Sequence, residues 1–257
     1  IMKNLVYHYY IPYESFDADM GGVKMPDWAH AGSRSAQAYA KFCDAEYMLD
    51  HERYFEHLDP RLDSIKIIYD EKYDEYDYIL SIDLDMLIHS KTPNIFDIEI
   101  EDVAMVHELG VHTGGPAGWL RNVMDKPLYQ RGVLAYGRLL FGEDWEFPKS
   151  KIYPTERFRY MNGGLQLWSR EGRRKARKHF QSVDHYVLHT RYTEQMYINL
   201  QLSQPIFNVT ELDSSWNRMP YQWINGKPDG KINHFLARTK FEMPRLEKTE
   251  LSIWQPS

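Results

Sequence analysis

The sequence lacks the features that mark several large classes of protein. Its 257 residues include one cysteine, Cys43, so no disulfide can form within the chain. No apolar run approaches the ~20 residues that a membrane-spanning helix requires. Basic residues are not in excess, since 31 Lys and Arg stand against 37 Asp and Glu, giving a net charge of −6. These absences argue against a disulfide-stapled domain, a protein with a transmembrane segment and a general nucleic-acid binder.

The scarcity of cysteine, together with one further absence, leads to an expectation about the cellular compartment. The first residues contain no long apolar stretch of the kind found in a secretory signal peptide. A single cysteine is typical of a protein from a reducing compartment. We therefore expect a cytoplasmic protein. A single bound nucleotide remains compatible with the acidic balance, because a cation can neutralise a diphosphate locally.

The remaining composition is that of a globular α/β domain. Hydrophobic residues make up 43% of the chain and charged residues 26%, which are ordinary proportions. No repeat or low-complexity linker interrupts the sequence, and its length suits one domain. We therefore expect a single domain over residues 1–257.

Segments of β-strand and helix character alternate along the chain. The β-prone residues and their punctuation predict strands at 3–10, 47–49, 78–82, 103–106 and 163–168. Capping residues, among them Ser33 and Ser35, and apolar spacing predict helices at 33–47, 60–72, 134–141, 170–180 and 194–202. This alternation is typical of an α/β fold in which helices flank a mostly parallel central sheet.

Two carboxylates, Asp83 and Asp85, come directly after the apolar, β-prone strand that is predicted at 78–82. In open parallel sheets, ligands bind beyond the carboxyl ends of the strands. Residues two apart in an extended chain point to the same side, so both carboxylates can face one ion. Their mutual repulsion in a partly buried site requires a counter-charge, which a divalent cation supplies. The pair therefore predicts a metal site, and oxygen ligands favour Mg²⁺ or Mn²⁺.

The residues around this pair resemble a known family. The segment 75–85 resembles the Asp-x-Asp segment of GT-A fold glycosyltransferases, in particular the retaining family of glycogenin and bacterial lipopolysaccharide galactosyltransferases. Further segments are similar to motifs of that family in the same order along the chain. They are Asn162-Gly163-Gly164-Leu165, Glu194-Gln195-Met196-Tyr197-Ile198-Asn199, Trp216-Asn217, and His234-Phe235 with Lys240. The chain departs from the family at Glu194 and Met196, where Asp is usual, at Ala237, where Gly is usual, and at Phe241-Glu242, where Pro-Trp is usual.

The resemblance implies a GT-A (Rossmann-like) nucleotide-diphospho-sugar transferase fold and a role for each matching residue. Asp83, Asp85 and His234 would bind Mn²⁺ (or Mg²⁺). The residues expected at the nucleotide-sugar donor are Tyr10, Tyr13, Lys66, Asp83, Asp85, Asn162, Gly163 and Lys240. Tyr10 or Tyr13 would stack on the base where strand 1 ends, and Lys240 would add positive charge at the diphosphate.

Two further residues, Gln195 and Glu194, are implied as catalytic. The amide oxygen of Gln195 would stabilise the sugar as it becomes oxocarbenium-like, and Glu194 would hold a sugar hydroxyl. The implied activity is transfer of a sugar from a UDP- or GDP-sugar to a hydroxyl of a glycan, glycoprotein or glycolipid acceptor. The family's chemistry implies retention of the anomeric configuration.

Other functions stay open at this stage. An inverting glycosyltransferase on the same fold would need a carboxylate base, for which Glu194 and Glu108 are candidates. A metal-dependent sugar nucleotidyltransferase would usually carry a glycine-rich phosphate loop after strand 1, where this chain has 9–13, Tyr-Tyr-Ile-Pro-Tyr. A binding module without turnover is a further alternative. The basic run at 170–178 indicates a solvated helix face, with an anionic acceptor or a membrane surface as the alternative partner.

Overall fold

A six-stranded sheet forms the centre of the chain. The structure is a computed structural model that describes residues 2–11, 24–108, 127–145, 160–189 and 194–249. The strands of this sheet are β1 (Asn4–Tyr9), β2 (Glu46–Asp50), β3 (Tyr78–Ile82), β5 (Val103–His107), β6 (Met161–Ser169) and β7 (Val209–Leu212). A separate two-stranded sheet is formed by β4 (Met86–Ile88) and β8 (Ile232–His234).

Helices cover both faces of the central sheet. The described residues form α1 (Asp27–Phe42), α2 (Lys66–Tyr69), α3 (Pro127–Phe141), α4 (Arg170–His179), α5 (Val183–His189), α6 (Glu194–Leu202) and α7 (Met243–Leu246). No helix in these ranges is both long enough and apolar enough to cross a lipid bilayer. The expectation of an α/β fold is confirmed.

The order of the strands places a binding edge at the carboxyl end of β3. The order is β2-β1-β3-β6-β5-β7, and only β6 runs antiparallel to its neighbours among these six described strands. The chain leaves β1 towards β2 on one side and returns to β3 on the other. Such a reversal opens a crevice beyond the strand ends, where open α/β sheets bind their ligands.

Both faces of the sheet are buried, which explains why the central strands read as continuous apolar runs. Alternate residues of a strand point to opposite faces. Leu5 and Tyr7 of β1 accordingly pack into one hydrophobic cluster with α4 and α6, whereas Val6 packs into a second cluster with α1. All three side chains are fully buried. The core therefore fixes β1 and β3 rigidly beneath the crevice.

The first helix begins earlier and ends earlier than the sequence indicates. It starts at Asp27, directly after Pro26, because an acidic residue is favoured in the first helical turn. Ser35 is not a cap. It lies inside the helix, and its hydroxyl accepts a hydrogen bond from the backbone N–H of Ile88 at 2.9 Å. Asp44, at a φ of 52°, turns the chain out of the helix towards β2.

The helix predicted over 60–72 is also broken. It consists of short 3-10 turns at Pro60–Ile65 and Glu71–Glu75 with α2 between them. Each turn begins at an aspartate, Asp59 or Asp70, whose side chain accepts a backbone N–H two residues later. Such local bonds compete with a continuous helix, which explains the interruptions.

Helix α1 approaches the loop that carries Asp83 and Asp85 closely at Gly32. A Cβ atom at this position would lie 1.9 Å from the carbonyl oxygen of Leu84 and 3.2 Å from that of Met86. Leu84 stands between the two aspartates, so the absence of a side chain at Gly32 allows the helix to support that loop directly.

We predict that Gly32→Ala destabilises the protein by about 1–3 kcal/mol, because the loop or the helix must move to admit the methyl group. Helix propensity alone would give the opposite sign, since Ala is favoured over Gly by about 1 kcal/mol in a helix. Denaturant unfolding measures the change, with Gln37→Ala on the exposed face of α1 as the control. A Gly32→Ala variant that is more stable than wild type would contradict this account.

Candidate active site

Three metal-ligating side chains from distant parts of the sequence meet beyond β3. Asp83 follows β3, Asp85 precedes β4, and His234 ends β8. The antiparallel pairing of β4 and β8 places Met86 opposite His234, which brings the histidine beside the acidic pair. Nε2 of His234 lies 3.1 Å from Asp85 Oδ1 and 3.9 Å from Asp83 Oδ2. One candidate ligand atom from each of the three residues lies within 4.8 Å of the others. We call Asp83, Asp85 and His234 the metal corner.

Lys240 supplies a fourth charged group to this corner. It lies in a 3-10 turn, Ala237–Glu242, that follows β8. Its Nζ is 2.8 Å from Asp85 Oδ2 and 4.7 Å from the centroid of the Trp28 ring. The turn is entered through Ala237, whose φ of 48° lies in the left-handed region that favours glycine. The glycine that is usual in the resembled family would relieve this strain.

The charges in the corner shift one another's protonation. Burial in the cleft, followed by repulsion from Asp85, raises the pKa of Asp83 to about 6. Burial alone would raise the pKa of Asp85, but His234 and Lys240 outweigh it and hold that pKa well below its ordinary value. Burial would likewise lower the pKa of His234, but the two aspartates outweigh it and raise that pKa. The negative charge of Asp85 and the positive charges of His234 and Lys240 therefore stabilise one another.

The donor set fits a divalent cation. Two carboxylates and one imidazole nitrogen form a mixed oxygen and nitrogen donor set of the kind that divalent metal ions use. Oδ1 of Asp85 is buried and faces Nε2 of His234 at 3.1 Å, so these two ligand atoms point at one another across the space that a cation would share. Asp83 keeps 47% of its side chain exposed, so it can contact a ligand that enters the crevice. These residues could therefore hold a metal ion together with a bound molecule.

Gly164 forms the floor of the corner. A Cβ atom at this position would lie 2.7 Å from Asp83 Oδ2 and 2.8 Å from His234 Cε1. The Gly164 carbonyl also accepts the backbone N–H of Asp83 at 2.9 Å. Strand β6 thus approaches the ligand atoms closely only because it carries a glycine here.

Amide side chains line the adjoining part of the site. The Oε1 atom of Gln195 accepts the backbone N–H of Gly163 at 2.9 Å, and its Nε2 donates to Glu108 Oε2 at 2.6 Å. Nδ2 of Asn162 donates to the same Glu108 oxygen at 3.4 Å. Burial raises the pKa of Glu108, although the two amide donors partly offset this effect. Gln195, Asn162 and Gly163 are thus brought together next to the metal corner.

Glu194 begins α6 and is a buried carboxyl group near the same corner. Burial, followed by repulsion from Asp83, raises the pKa of Glu194 to about 8. Its Oε2 atom is buried and finds no hydrogen-bond partner within the described ranges. A protonated carboxyl can donate a hydrogen bond as well as accept one, which suits a sugar hydroxyl.

The fold that carries this site is also found in solved structures of other proteins. No family model matches the sequence, and no relative is found among curated proteins. A glycosyltransferase involved in the glycosylation of the major capsid of PBCV-1 has a TM-score of 0.53 at 11% identity, over 94% of this chain and 98% of that chain. The galactosyltransferase LgtC, solved in complex with donor and acceptor sugar analogs, has a TM-score of 0.51 at 11% identity, over 96% of each chain. The chain has the GT-A fold. At this identity the likeness establishes the fold, while function depends on the site residues.

One of the remaining donor-binding predictions, Tyr10, falls at the end of the first strand of this GT-A fold. Tyr10 follows β1 directly, and its backbone N–H donates to Asp50 O at 2.8 Å. Its ring meets that of His51 edge to face, with centroids 6.3 Å apart. Tyr10 thus lies at the edge of the crevice, where its stacking on a base stays a prediction. Tyr13 lies outside the described residues.

Lys66 is not brought to the metal corner. Its side chain is 1% exposed, and its Nζ is 2.6 Å from Asp50 Oδ2. It also donates to the carbonyl oxygen of Glu52. This buried ion pair ties α2 to the end of β2. A donor contact for Lys66 stays a prediction and has no part in the proposed function.

The basic run on α4 is largely neutralised within the GT-A fold. Arg174 and Arg177 pair with Asp74, and Lys175 pairs with Asp102. The guanidinium of Arg173 is buried and donates to backbone carbonyls. These pairings favour the interpretation as a structural and solvated helix face over that of an anionic docking surface.

The roles of two site residues are not predicted by the sequence. Asn217 accepts the His234 Nδ1–H, and Glu108 receives the two amide donors described above. The sequence indicates Asn217 only as part of a Trp-Asn pair, and Glu108 only as a candidate base. No spacing rule connects residues 108, 162, 195, 217 and 234, because their proximity depends on the pairing of β6 with β5 and of β8 with β4.

The raised pKa of Glu194 makes a pH-dependent prediction for Glu194→Gln. Between its ordinary value of 4.5 and about 8, the native state keeps the proton that the unfolded state releases. The stability of wild type relative to the Gln variant should therefore fall as pH rises through this window. About 1 kcal/mol corresponds to a Tm shift of ~2–4 °C for a chain of this size.

Thermal melts of both proteins with a metal chelator present, at about pH 4.5 and pH 8.5, measure this effect. We expect the Gln variant to gain several degrees on wild type between the two conditions. Glu143→Gln, at an exposed position, is the control. An equal Tm difference at both pH values would show that Glu194 is ionised in the native protein.

Proposed function

We propose that this protein is a glycosyltransferase that transfers a sugar from a UDP- or GDP-sugar to a hydroxyl of a glycan, glycoprotein or glycolipid, with Mn²⁺ and with retention of configuration. One observation carries the proposal: Asp83, Asp85, His234 and Lys240 converge beyond the carboxyl end of β3 in a GT-A fold. The proposal treats residues 1–257 as one catalytic domain.

The charge pattern of the corner suits a leaving nucleoside diphosphate. Cleavage of the bond between the anomeric carbon and the phosphate leaves negative charge on the nucleotide. A bound Mn²⁺ would supply Lewis-acid stabilisation of that charge. Lys240 is held beside Asp85 by its ion pair, so its ammonium can contact the same phosphates without a large rearrangement. Asp83 and Asp85 position the cation, and Gly164 leaves room for it.

Gln195 is the residue best placed to face the reacting sugar. Its amide is held at both ends, by the Gly163 N–H and by Glu108, so its orientation is fixed before substrate binds. An amide oxygen can stabilise a positive anomeric centre while forming no strong covalent bond to it. Asn162 shares the Glu108 acceptor with Gln195, and Glu194 precedes Gln195 in the chain. Both residues can bind sugar hydroxyls.

Both candidate bases of an inverting mechanism are constrained. Oε2 of Glu108 accepts two amide protons, which leaves only the other oxygen of this carboxylate for a base. Glu194 holds its proton at neutral pH, since its pKa is raised to about 8, and a general base must be ionised to act. These features support retention over inversion.

Substitution of either aspartate tests the proposal. We predict that Asp83→Asn or Asp85→Asn lowers Mn²⁺-dependent release of nucleoside diphosphate from a UDP- or GDP-sugar by about 10²–10³-fold or more, because charge on the leaving group loses its stabilisation. Asp144→Asn, at an exposed site, serves as the matched control. Full turnover in either active-site variant would rule out the assignment.

The products distinguish the remaining alternatives. Release of a nucleoside diphosphate is expected, whereas a sugar nucleotidyltransferase would release pyrophosphate. NMR of the freshly formed glycoside should show the anomeric configuration of the donor. The opposite configuration would establish an inverting enzyme, with Glu108 or Glu194 as its candidate base.

A further inference from the structure

A continuous series of hydrogen bonds joins the metal corner to Gln195. Nδ1 of His234 lies 3.1 Å from Asn217 Oδ1, and Asn217 Nδ2 donates to Asn162 Oδ1 at 2.7 Å. Asn162 Nδ2 in turn donates to Glu108 Oε2, which also receives Gln195 Nε2. His234, Asn217 and Asn162 are all buried, so water does not compete freely for these bonds. We call these five residues the amide relay.

The direction of each bond in the amide relay is fixed by groups that can act in only one way. The backbone N–H groups of Gly163 and Gly164 can only donate, so Gln195 Oε1 and Asn162 Oδ1 must face them. The NH₂ group of each amide then points to Glu108, whose carboxylate accepts. Glu108 is therefore the acceptor on which both branches of the relay end.

The same reasoning fixes the tautomer of His234. Asn162 Oδ1 requires a donor from Asn217, so Asn217 turns its Nδ2 towards Asn162 and its Oδ1 towards His234. A proton is then required on Nδ1 of the imidazole. When the ring is neutral, its lone pair lies on Nε2, which faces Asp83 and Asp85. A metal-ligating histidine needs this arrangement.

We propose that Asn217 and Glu108 are positioning residues: the relay ending on Glu108 holds His234 in its metal-ligating tautomer and Gln195 in its donor-facing orientation. This inference rests on the proposed function, which assigns the metal to His234 and the sugar to Gln195. Neither positioning residue needs to contact the cation or the substrate. Loss of Glu108 would leave the Asn162 and Gln195 NH₂ groups without their acceptor, so both amides could rotate.

The shape of the relay assigns Oε2 of Glu108 to positioning. A general base must keep a free lone pair directed at the acceptor hydroxyl, whereas this oxygen is directed at two amides. Positioning requires an acceptor oxygen but no net charge. Glu108→Gln can supply that oxygen and Glu108→Met cannot, so these two variants distinguish the roles.

Calorimetric titration of the metal-free protein with Mn²⁺ alone tests the inference. We expect Asn217→Leu to weaken binding by about 10–100-fold and Glu108→Met by about tenfold, as is typical when the partner of a metal-ligating histidine is removed. The double variant should bind about as weakly as Asn217→Leu alone, because both changes break one relay. Glu108→Gln should keep most of the wild-type affinity. Glu99→Gln, on an exposed carboxylate, is the control.

The inference is overturned if Glu108→Met binds Mn²⁺ as tightly as wild type, or if the two losses multiply fully in the double variant. Thermal melts establish that each variant is folded. If Glu108→Met does not fold, a loss of affinity in Glu108→Gln as large as that in Asn217→Leu overturns the inference instead. Sugar transfer is measured separately. A relay that behaves as expected in a wild-type protein without transfer would refute only the proposed function, whereas active transfer with unchanged Mn²⁺ affinity in Glu108→Met would refute only the relay.

Discussion

Two carboxylates held close together in a cleft dominate the physics of this protein. Asp83 and Asp85 repel each other, and their position in a cleft, with Asp85 buried and Asp83 half-buried, makes that repulsion stronger than it would be in water. The fold supports the pair from three sides: Gly32 of α1 packs against the loop between them, Gly164 of β6 lies below them, and β8 brings His234 beside them. In each case the helix or strand lies directly against the aspartates or the loop that carries them. The rigidity of the α/β core therefore serves a site that would otherwise push itself apart.

Charge compensation and amide orientation divide the site into two functional halves. The half around Asp85 and Lys240 is ionic and suits a diphosphate with its cation. The half around Gln195 and Asn162 consists of oriented amides that donate to the Glu108 carboxylate, which suits a sugar whose hydroxyls need both donors and acceptors. The amide relay connects the halves, so a change in one would be felt in the other. Such preorganisation orients the dipoles of the site before the reaction begins, so they need not reorient during the reaction.

Much of the fold could be predicted from sequence, whereas the contacts within the site could not. The strands at 78–82 and 103–106 were predictable because both faces are buried and their residues are β-prone. Helix α6 was predicted within its observed bounds, but α1 was misplaced because Ser35 resembles a cap and instead supports β4. Asp83 and Asp85 were identified from their position after an apolar strand and His234 by resemblance to a family, and the meeting of all three depends on the pairing of β4 with β8. Contacts of this kind depend on strand register, which no local pattern in the sequence specifies.

The central claim is that the Asp83, Asp85 and His234 corner binds the cation that accompanies the donor diphosphate. The most direct measurement is the anomalous scattering of Mn²⁺ in crystals soaked with manganese and a nucleoside diphosphate. The account predicts one Mn²⁺ peak at this corner, with oxygen and nitrogen ligands at about 2.0–2.6 Å, as is usual for such cations, and with the diphosphate on its open side. A fully bound nucleotide with no metal at these three residues would contradict it.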